Sequence, residues 1–385
     1  MKIAFIGSRG IPHSYASAEQ LVRHLGEYLV SRGHEFTVYC HANDFKENRE
    51  PYYNGIRRIF IPTIKHKIFG QLLHATLSSV DSVFRDFDII HYQCLNNSFQ
   101  SIIPFLFRKR IVTNVDGQIW DDPKWPNHLR QVFFRSAARV AISVSKEIVT
   151  DAIGIRDIYL NDYNKKSAVI EYGAEIVSSK NPEILGKYGL TPKQYYFVAA
   201  RLALSNSTDI IVEAFKRSKT EKVLAIAGGH SYGSEWFRKL KEHAGDRVKF
   251  LGVVSDQNEM NELYTNAYAY LHGASLGGVN SALLRPLGSG IPCLALDTIY
   301  NREVLTMNDT NLCGMTWERN PASLADAINE IDRNEPEAGR LGRLGQKRIA
   351  EAFTWDRICR QYEVFYEGVL GGQDIESLSR SVASC

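Results

Sequence analysis

The sequence has few cysteines and no pattern that would join them. Its six cysteines are scattered through 385 residues, and none belongs to a CxxC pair, so neither a zinc site nor a redox motif is indicated. We expect reduced thiols in the core. The formal net charge is only +3, which predicts no strong electrostatic field, and we expect no nucleic-acid partner.

Long apolar runs are also missing. The apolar stretch after Lys2 is soon interrupted by Arg9, which leaves it too short for a secretory signal or a membrane span. We therefore expect a cytoplasmic protein. Hydrophobic residues make up 44% of the chain and charged residues 23%. These are ordinary values for a globular protein, and the length allows two domains.

Short apolar runs alternate with segments of helical period, such as the one carrying Leu21, Leu25 and Leu29. This alternation predicts an α/β fold of parallel sheets wrapped by helices. The predicted strands are residues 2–6, 35–40, 88–91, 111–115, 139–143, 167–171, 195–199, 222–227, 247–251, 268–272 and 292–296. Residues 173–194 are rich in Gly, Ser and Pro and predict an interdomain linker.

Two doubly wound domains are the simplest arrangement of these elements, with an active cleft between them at the carboxyl ends of the strands. We assign residues 1–174 to the first domain and 175–354 to the second. The aromatic-rich helix at 355–370 is expected to dock on a domain surface and to pack back on the first domain. The polar residues 371–385 predict a flexible tail.

The first candidate site follows the first strand. Gly7 and Gly10 allow a tight turn before a helix that starts near residues 16–19, and free N–H groups at a helix start suit a phosphate. The pattern is not GxGxxG, and the second strand ends without an acidic residue placed for a ribose. A dinucleotide dehydrogenase is therefore poorly supported. Glycines that only turn the chain explain this stretch equally well.

Three further candidates lie at strand ends. Arg201 follows a strand, where a guanidinium can pair with a diphosphate. Gly277 and Gly278 precede a short helix, where backbone amides suit an anionic or sugar ligand. Asp116 ends a buried-type strand, where a carboxylate can orient or deprotonate a hydroxyl. Taken singly, each also fits an ordinary surface arginine or turn.

Four stretches carry a resemblance to a known family. They are GSRGIPHSYASAEQLVRHL (7–25), DGQIWDDPKW (116–125), ARLALSN (200–206) and GASLGGVNSALLRPLGSG (273–290). They resemble the bacterial rhamnosyltransferase-like branch of the retaining GT-B glycosyltransferases of family 4, in order and over nearly the whole chain. The resemblance implies two Rossmann-like domains facing across a cleft, the C-terminal one holding the donor and the N-terminal one presenting the acceptor.

The resemblance also implies a reaction. A sugar, rhamnose in this branch, moves with retention from a nucleoside-diphosphate donor to a hydroxyl of a lipid-linked or growing surface saccharide. No cofactor and no metal is expected, because Arg, Lys and helix N-termini neutralise the departing diphosphate. The resemblance implies retention by front-face attack, in which the leaving phosphate takes the acceptor proton.

The matched motifs imply roles for particular residues. Arg201 would hold the diphosphate, and Asp116 would orient or activate the acceptor hydroxyl; these are the two catalytic candidates. The donor-binding candidates are Gly10, Ser17, Arg201, Asn206, Gly277, Gly278, Asn280 and Arg285. Trp120 and Asp121 are expected on the acceptor side.

Several positions depart from the family pattern. Ala16-Ser17 replaces a Gly-Gly pair, Asn206 replaces a Lys, Asp121-Asp122 replaces Lys-Arg, and Arg285 replaces the Glu expected at the ribose. These changes favour either an altered donor geometry or a loss of catalysis. The alternative is therefore a non-catalytic GT-B protein that acts as partner or scaffold of another glycosyltransferase. A sugar-nucleotide epimerase with the same fold is a third interpretation.

Two stretches combine basic and apolar residues and are candidates for peripheral contact with the inner face of the plasma membrane. They are residues 65–87 and the run 98–110, which ends in Arg108-Lys109-Arg110. The other interpretation is a helix that faces the core and has a solvated basic end. That interpretation is favoured for 98–110, and both stay open for 65–87.

Overall fold

The computed structural model divides into two compact units. Unit 1 consists of Met1–Tyr172 together with Trp355–Cys385, and unit 2 of Gly173–Thr354. The structure describes residues 1–12, 17–45, 49–64, 66–115, 128–229, 234–275, 277–279, 281–308 and 311–385. Each unit is built around its own sheet.

An eight-stranded sheet forms the centre of unit 1. Its strands are β1 Lys2–Ile6, β2 Glu35–His41, β3 Tyr52–Tyr53, β4 Ile56–Ile61, β5 Ile89–Gln93, β6 Ile111–Val115, β7 Glu147–Thr150 and β8 Ala168–Val169. Their order is β3-β4-β2-β1-β5-β6-β7-β8, parallel except where β3 meets β4. The strand order reverses between β1 and β5, and ligands of open α/β sheets bind at such a switch point.

Helices cover this sheet and connect its strands. They are α1 Ser17–Ser31, α2 Lys67–Val83, α3 Ile102–Leu106, α4 His128–Val144 and α5 Ile153–Tyr163. The helical pattern predicted in the first of these is confirmed, because Leu21, Leu25 and Leu29 are all buried, and residues four apart share one face of a helix.

The strand predicted at residues 139–143 is wrong. These residues lie near the end of α4, and the strand that follows is β7. Ala137, Ala138 and Ala141 are fully buried, with the spacing of a helix face, and alanine is the strongest helix former. A short apolar run has the same composition in a strand and in a buried helix turn, so its pattern alone did not separate the two.

Unit 2 contains a six-stranded parallel sheet and a separate two-stranded antiparallel pair. Its strands are β9 Tyr195–Ala199, β10 Val223–Ala227, β11 Val248–Gly252, β12 Ala269–His272, β13 Cys293–Leu296, β14 Thr306–Asn308, β15 Asn311–Leu312 and β16 Met315–Trp317. The sheet order is β11-β10-β9-β12-β13-β16. The five strands predicted here are confirmed, whereas the three-residue β16 was too short to recognise.

The helices of unit 2 alternate with these strands. They are α6 Thr208–Arg217, α7 Ser234–Ala244, α8 Gln257–Thr265, α9 Ser281–Gly288, α10 Ile299–Leu305, α11 Pro321–Arg333 and α12 Glu335–Ala352. None of the helices in the described part of either unit has the length and apolar character that a membrane crossing requires.

The residues predicted as a linker, 173–194, pack within unit 2 instead. The buried Glu262 carboxylate accepts hydrogen bonds from Ser179 Oγ at 2.6 Å, Lys180 N at 2.6 Å and Asn181 N at 2.8 Å. Since a buried carboxylate is costly unless it is well bonded, these bonds tie the segment to α8.

The chain returns to unit 1 through two final helices, α13 Trp355–Gly371 and α14 Ile375–Ala383. The first packs on α1, where Glu363 accepts hydrogen bonds from Tyr28 Oη at 3.1 Å and from His34 Nε2 at 3.0 Å. Tyr362 and Tyr366 on this helix are fully buried.

The flexible tail predicted for residues 371–385 is wrong, because most of it forms α14. Asp374 caps this helix by accepting hydrogen bonds from the backbone N–H groups of Glu376 and Ser377, both at 3.0 Å. Leu378 and Val382 are buried against unit 1. Two apolar residues four apart in a polar segment give a weak pattern, so the helix depends on the surface that receives it.

We expect Leu378→Ala to lower the free energy of unfolding by about 2–5 kcal/mol, the usual cost of emptying a fully buried leucine site. Chemical denaturation followed by circular dichroism measures this change. The partly exposed Leu160 of α5 provides the control, since Leu160→Ala should cost much less. Equal effects of the two substitutions would mean that α14 does not dock as described.

Candidate functional site

Two loops meet at the switch point of unit 2, where the strand order reverses between β9 and β12. The loop after β9 contains Arg201 and ends at α6, and the loop after β12 begins at Gly273. Ser275 joins them, since both its backbone N–H, at 3.0 Å, and its hydroxyl, at 3.1 Å, donate to Ser205 O. Sequence reasoning placed candidate residues in both loops, and the structure joins the two loops through Ser205 and Ser275.

Glycines allow the backbone segments at this edge to approach closely. A Cβ on Gly228, whose φ is +150°, would overlap the carbonyl oxygen of Ala200, and a Cβ on Gly273 would overlap that of Asn206. Neither position accepts a side chain without moving the neighbouring loop. The loop that carries Arg201 is therefore closely packed at its beginning, next to Gly228, and at its end, next to Gly273.

Arg201 itself lies exposed directly after β9. No described residue forms a hydrogen bond or an ion pair with its guanidinium, although its carbonyl oxygen is bonded. An arginine that is free at a switch point, on a backbone that is held in place, is well suited to pair with a ligand phosphate or carboxylate.

Asn206 acts on the backbone of the loop. Its Nδ2 donates to Arg201 O at 2.7 Å, which closes the 3₁₀ turn Leu204–Asn206. The side chain that replaces the family's lysine therefore contributes no charge, and it stabilises the loop segment that carries Arg201.

The glycine pair lies in the loop before α9. Gly277 is exposed with φ +99°, and a Cβ built on it meets no atom within 4 Å. Its glycine character therefore follows from the left-handed backbone. Gly278 is half-buried next to it. Asn280 lies outside the described residues, and the described part of α9 begins at Ser281.

Arg285 is half-buried on α9, near Tyr264 of α8. Burial raises the pKa of Tyr264 to about 12, and the positive charge of Arg285 offsets part of that rise. The structure thus places this guanidinium close to the neighbouring helix. Its predicted part in donor binding stays a prediction.

Sequence reasoning missed three polar side chains at the same edge. Ser207 Oγ, Thr208 Oγ1 and His272 Nε2 are buried and have no hydrogen-bond partner among the described residues. Burial lowers the pKa of His272 to about 4, so its ring is neutral at pH 7. Buried polar atoms are normally bonded, and these three are therefore candidates for ligand contact. The position of His272 as the last residue of β12, and of Ser207 and Thr208 at the start of α6, was the one available signal.

The candidates in unit 1 fall into two groups. Gly10, with φ +110°, packs tightly, because a Cβ there would lie 2.6 Å from Cys40 Sγ and 2.9 Å from the Phe45 ring. This packing accounts for the glycine without a ligand. Ser17 is the first residue of α1. Asp116, Trp120, Asp121, Asp122 and Ala16 lie outside the described residues, so their predicted roles stay predictions.

Comparison with known proteins relates both units of the chain to glycosyltransferases. Residues 18–157 match the family Glycosyltransferase Family 4, and residues 180–348 match Glycosyl transferases group 1. The Anabaena protein HepE, solved in complex with UDP and glucose, superimposes with a TM-score of 0.75 at 16% identity, covering 94% of this chain and 98% of HepE. The two sheets and this superposition define a GT-B fold.

Two relatives extend the comparison. O-antigen chain mannosyltransferase C of Escherichia coli is 21% identical over 96% of this chain and 99% of its own length. A GDP-mannose-dependent phosphatidylinositol monomannoside mannosyltransferase of Mycobacterium tuberculosis is 25% identical over 48% of this chain and 50% of its own length. The two family models follow one another along the chain, and together with the fold they make it a GT-B glycosyltransferase of the group 1/family 4 type.

Proposed function

We propose that this protein transfers a hexose, with retention and without a metal ion, from a nucleoside-diphosphate sugar to a hydroxyl of a lipid-linked or growing surface saccharide. The observation that carries the proposal is the exposed Arg201 guanidinium at the switch point of unit 2, free of described partners. A diphosphate leaving group develops negative charge as it departs, and a pre-positioned cation stabilises that charge.

The proposed reaction proceeds on one face of the sugar. The bond between the anomeric carbon and the diphosphate oxygen breaks, and the acceptor oxygen bonds to the same carbon from the same side. The leaving phosphate oxygen takes the proton of the acceptor hydroxyl. In this scheme Arg201 holds the diphosphate, backbone amides near Gly277 and Gly278 face the sugar phosphate, and Asp116 orients the acceptor hydroxyl.

The identity of the donor sugar is the most specific part of the proposal. The sequence motifs favour rhamnose, whereas the two relatives carry mannose in their names. We propose a nucleoside-diphosphate hexose and take GDP-mannose and dTDP-rhamnose as the two donors to test first. UDP-glucose is the third, because HepE was solved with UDP and glucose.

The function is tested by a thermal-shift screen of the full chain with UDP, GDP, dTDP and their sugars, in EDTA and in Mg²⁺. A ligand that binds only the folded state stabilises it by a free energy of RT ln(1 + [L]/Kd). This stabilisation raises the melting temperature. We expect one nucleotide to raise it equally in EDTA and in Mg²⁺, followed by glycoside formation from the matching sugar nucleotide. No shift at millimolar nucleotide would contradict the enzyme and favour the non-catalytic scaffold.

A lipid-linked acceptor requires contact with a membrane, and unit 1 offers an apolar surface for it. Helix α3 packs against both α2 and α4. We define the apolar strip as the large exposed side chains on and beside α2 and α3, namely Phe69, Leu72, Leu77, Val80, Phe84, Phe105, Leu106 and Phe107. The core-facing interpretation of 98–110 is wrong for its last apolar residues, since Leu106 is 71% exposed.

The charge beside the strip suits an anionic membrane. Arg108 and Arg110 are both exposed and directly follow the α3 part of the strip. Exposed apolar side chains next to basic ones bind the interface of an anionic leaflet. We propose that unit 1 docks on the inner face of the plasma membrane through this strip.

We expect the double substitution Leu106→Ser/Phe107→Ser to weaken binding to phosphatidylglycerol-containing vesicles at least tenfold, because each buried apolar side chain contributes about 1.5–3 kcal/mol. Co-sedimentation measures this binding. Val253→Ser in unit 2, at a residue that is also highly exposed, is the control and should bind as the parent does. Binding that is unchanged in the double variant would exclude the strip as the docking surface.

A further inference from the structure

A second group of unpartnered polar atoms lies in unit 1, at the carboxyl edge of its sheet. Glu19 Oε2 is buried and has no hydrogen-bond partner among the described residues. His41 Nε2 and both ring nitrogens of His74 are also buried and make no hydrogen bond of ordinary geometry there, although Gln71 and the backbone of Cys40 lie close enough to interact with the two rings. His41 is the last residue of β2, and Glu19 lies in the first turn of α1. The hexosyl transfer proposed above does not use them.

Backbone hydrogen bonds connect these side chains. Glu19 Oε1 accepts from Arg9 N at 3.0 Å, and Arg9 O accepts from His41 N at 3.0 Å. His74, from α2, stacks on His41 with ring centroids 3.7 Å apart. The three side chains therefore form one cluster beside the switch point between β1 and β5, where α/β sheets bind ligands.

The cluster lies close beneath the surface of the unit. His74 is fully buried, whereas His41 is 8% exposed and Glu19 5% exposed. The outer two side chains are therefore nearest to the surface, although Glu19 Oε2 and His41 Nε2 are themselves buried, and the inner ring supports His41 by stacking. Gln71 on α2 also interacts with the His41 ring. The Gln71 amide in turn donates a hydrogen bond to Asn97 Oδ1 at 3.3 Å, so Gln71 connects His41 to Asn97.

The chemistry of the cluster selects a neutral ligand with hydroxyl groups. Burial lowers the pKa of His74 to about 3 and lowers that of His41, so both rings are neutral near pH 7. A neutral imidazole offers one donor and one acceptor, and a carboxylate offers acceptors only. Hydroxyl groups both donate and accept, so they match this mixture. Neither ring carries a charge, and the charges of Glu19 and Arg9, which both act on His41, have opposite signs.

We propose that Glu19 and His41 form a subsite that binds hydroxyl groups of the saccharide acceptor, with His74 as a positioning residue that holds the His41 ring. This proposal rests on the proposed function, because it assigns the acceptor of that reaction to unit 1. It adds specificity determinants to the acceptor candidates Asp116, Trp120 and Asp121.

Steady-state kinetics with a saccharide acceptor tests the subsite. His41→Phe keeps a ring that can stack on His74 and removes both ring nitrogens. Glu19→Gln keeps one oxygen to accept the hydrogen bond from Arg9 N and replaces the second oxygen by an NH₂ group. We expect each variant to raise the KM for the acceptor at least tenfold. The KM for the donor and kcat should stay within threefold of the values of the parent protein. His24→Phe, at a ring stacked on Trp355 in the same unit, should change none of these.

Two results with these variants would overturn the proposal. One is an acceptor KM that stays within threefold in both variants. The other is a parallel fall of kcat, donor affinity and melting temperature, which would mean that the cluster is a packing feature around buried water. Rescue distinguishes a true subsite further, since His41→Gln restores one donor and one acceptor and should recover part of the acceptor affinity.

A binding measurement separates this proposal from the proposed function. Histidine ring ¹⁵N signals of the full chain are recorded during titration with methyl glycosides of mannose, rhamnose, glucose and galactose. Perturbed signals that disappear in His41→Phe support the subsite even if no sugar nucleotide is turned over. If transfer proceeds but neither these signals nor the acceptor KM changes, the subsite is wrong and the transferase assignment stands. If neither transfer nor perturbation is observed, both proposals fail.

Discussion

Replacing Arg201 by alanine is expected to lower kcat/KM for the donor by about 10- to 150-fold. The reason is that a charge-assisted hydrogen bond to a phosphate contributes roughly 1.5–3 kcal/mol, and each 1.4 kcal/mol is a factor of ten in rate. The guanidinium is exposed and free of described partners, so its removal should leave the fold intact. Initial rates with the donor identified in the screen measure the effect.

Two further variants make the Arg201 result specific. Arg201→Lys keeps the charge but loses the planar pair of donors, so we expect a loss between those of the parent and the alanine variant. Arg238→Ala removes another exposed arginine of unit 2, one paired with Glu242 on α7, and should leave the rate unchanged. Near-normal turnover of Arg201→Ala would exclude the proposed role of Arg201 at the diphosphate.

Replacing Gly228 by alanine is expected to lower the free energy of unfolding by about 3 kcal/mol or more and to abolish nucleotide binding. The added Cβ would overlap the Ala200 carbonyl oxygen, and φ at this residue is +150°. Overpacking and backbone strain each cost about 1–3 kcal/mol. Relief requires the loop that begins next to Arg201 to move. Chemical denaturation and the nucleotide thermal shift measure the two effects.

Gly186→Ala is the matched control for this glycine. Gly186 also lies in unit 2, yet a Cβ built on it meets no atom within 4 Å and its φ is not in the left-handed region. We expect its unfolding midpoint and its nucleotide affinity to equal those of the parent. If Gly228→Ala behaved in the same way, the close approach of Gly228 to Ala200 would not be required for the site.

The departures from the family pattern have different structural consequences. Asn206 stabilises the loop backbone that carries Arg201, so the loss of a lysine there removes charge and keeps geometry. Arg285 lies near Tyr264, which places its charge by α8. The Arg201 guanidinium stays free of described partners. The nucleotide screen decides between a transferase with altered donor contacts and a scaffold.

Much of unit 2 and its candidate site was predictable from the sequence. The alternation of apolar runs and helical segments is a local pattern, because side chains alternate along a strand and repeat every three to four residues along a helix. It predicted β9, β10, β11, β12 and β13. Arg201, which follows β9, and Gly277, in the loop after β12, had to lie at one edge of the sheet, because parallel strands end on the same side.

Features that depend on a contact with a segment far away in the chain could be seen only in the tertiary structure. The sequence by itself determined the α/β class, the strands of unit 2 and the place of Arg201 at a strand end. Only the tertiary structure decided that residues 139–143 complete a helix and that α14 docks through Leu378. It also decided that His41 stacks on His74. The physical reason is that local periodicity records which face of an element is apolar, whereas burial and hydrogen bonding depend on the distant segment that covers that face.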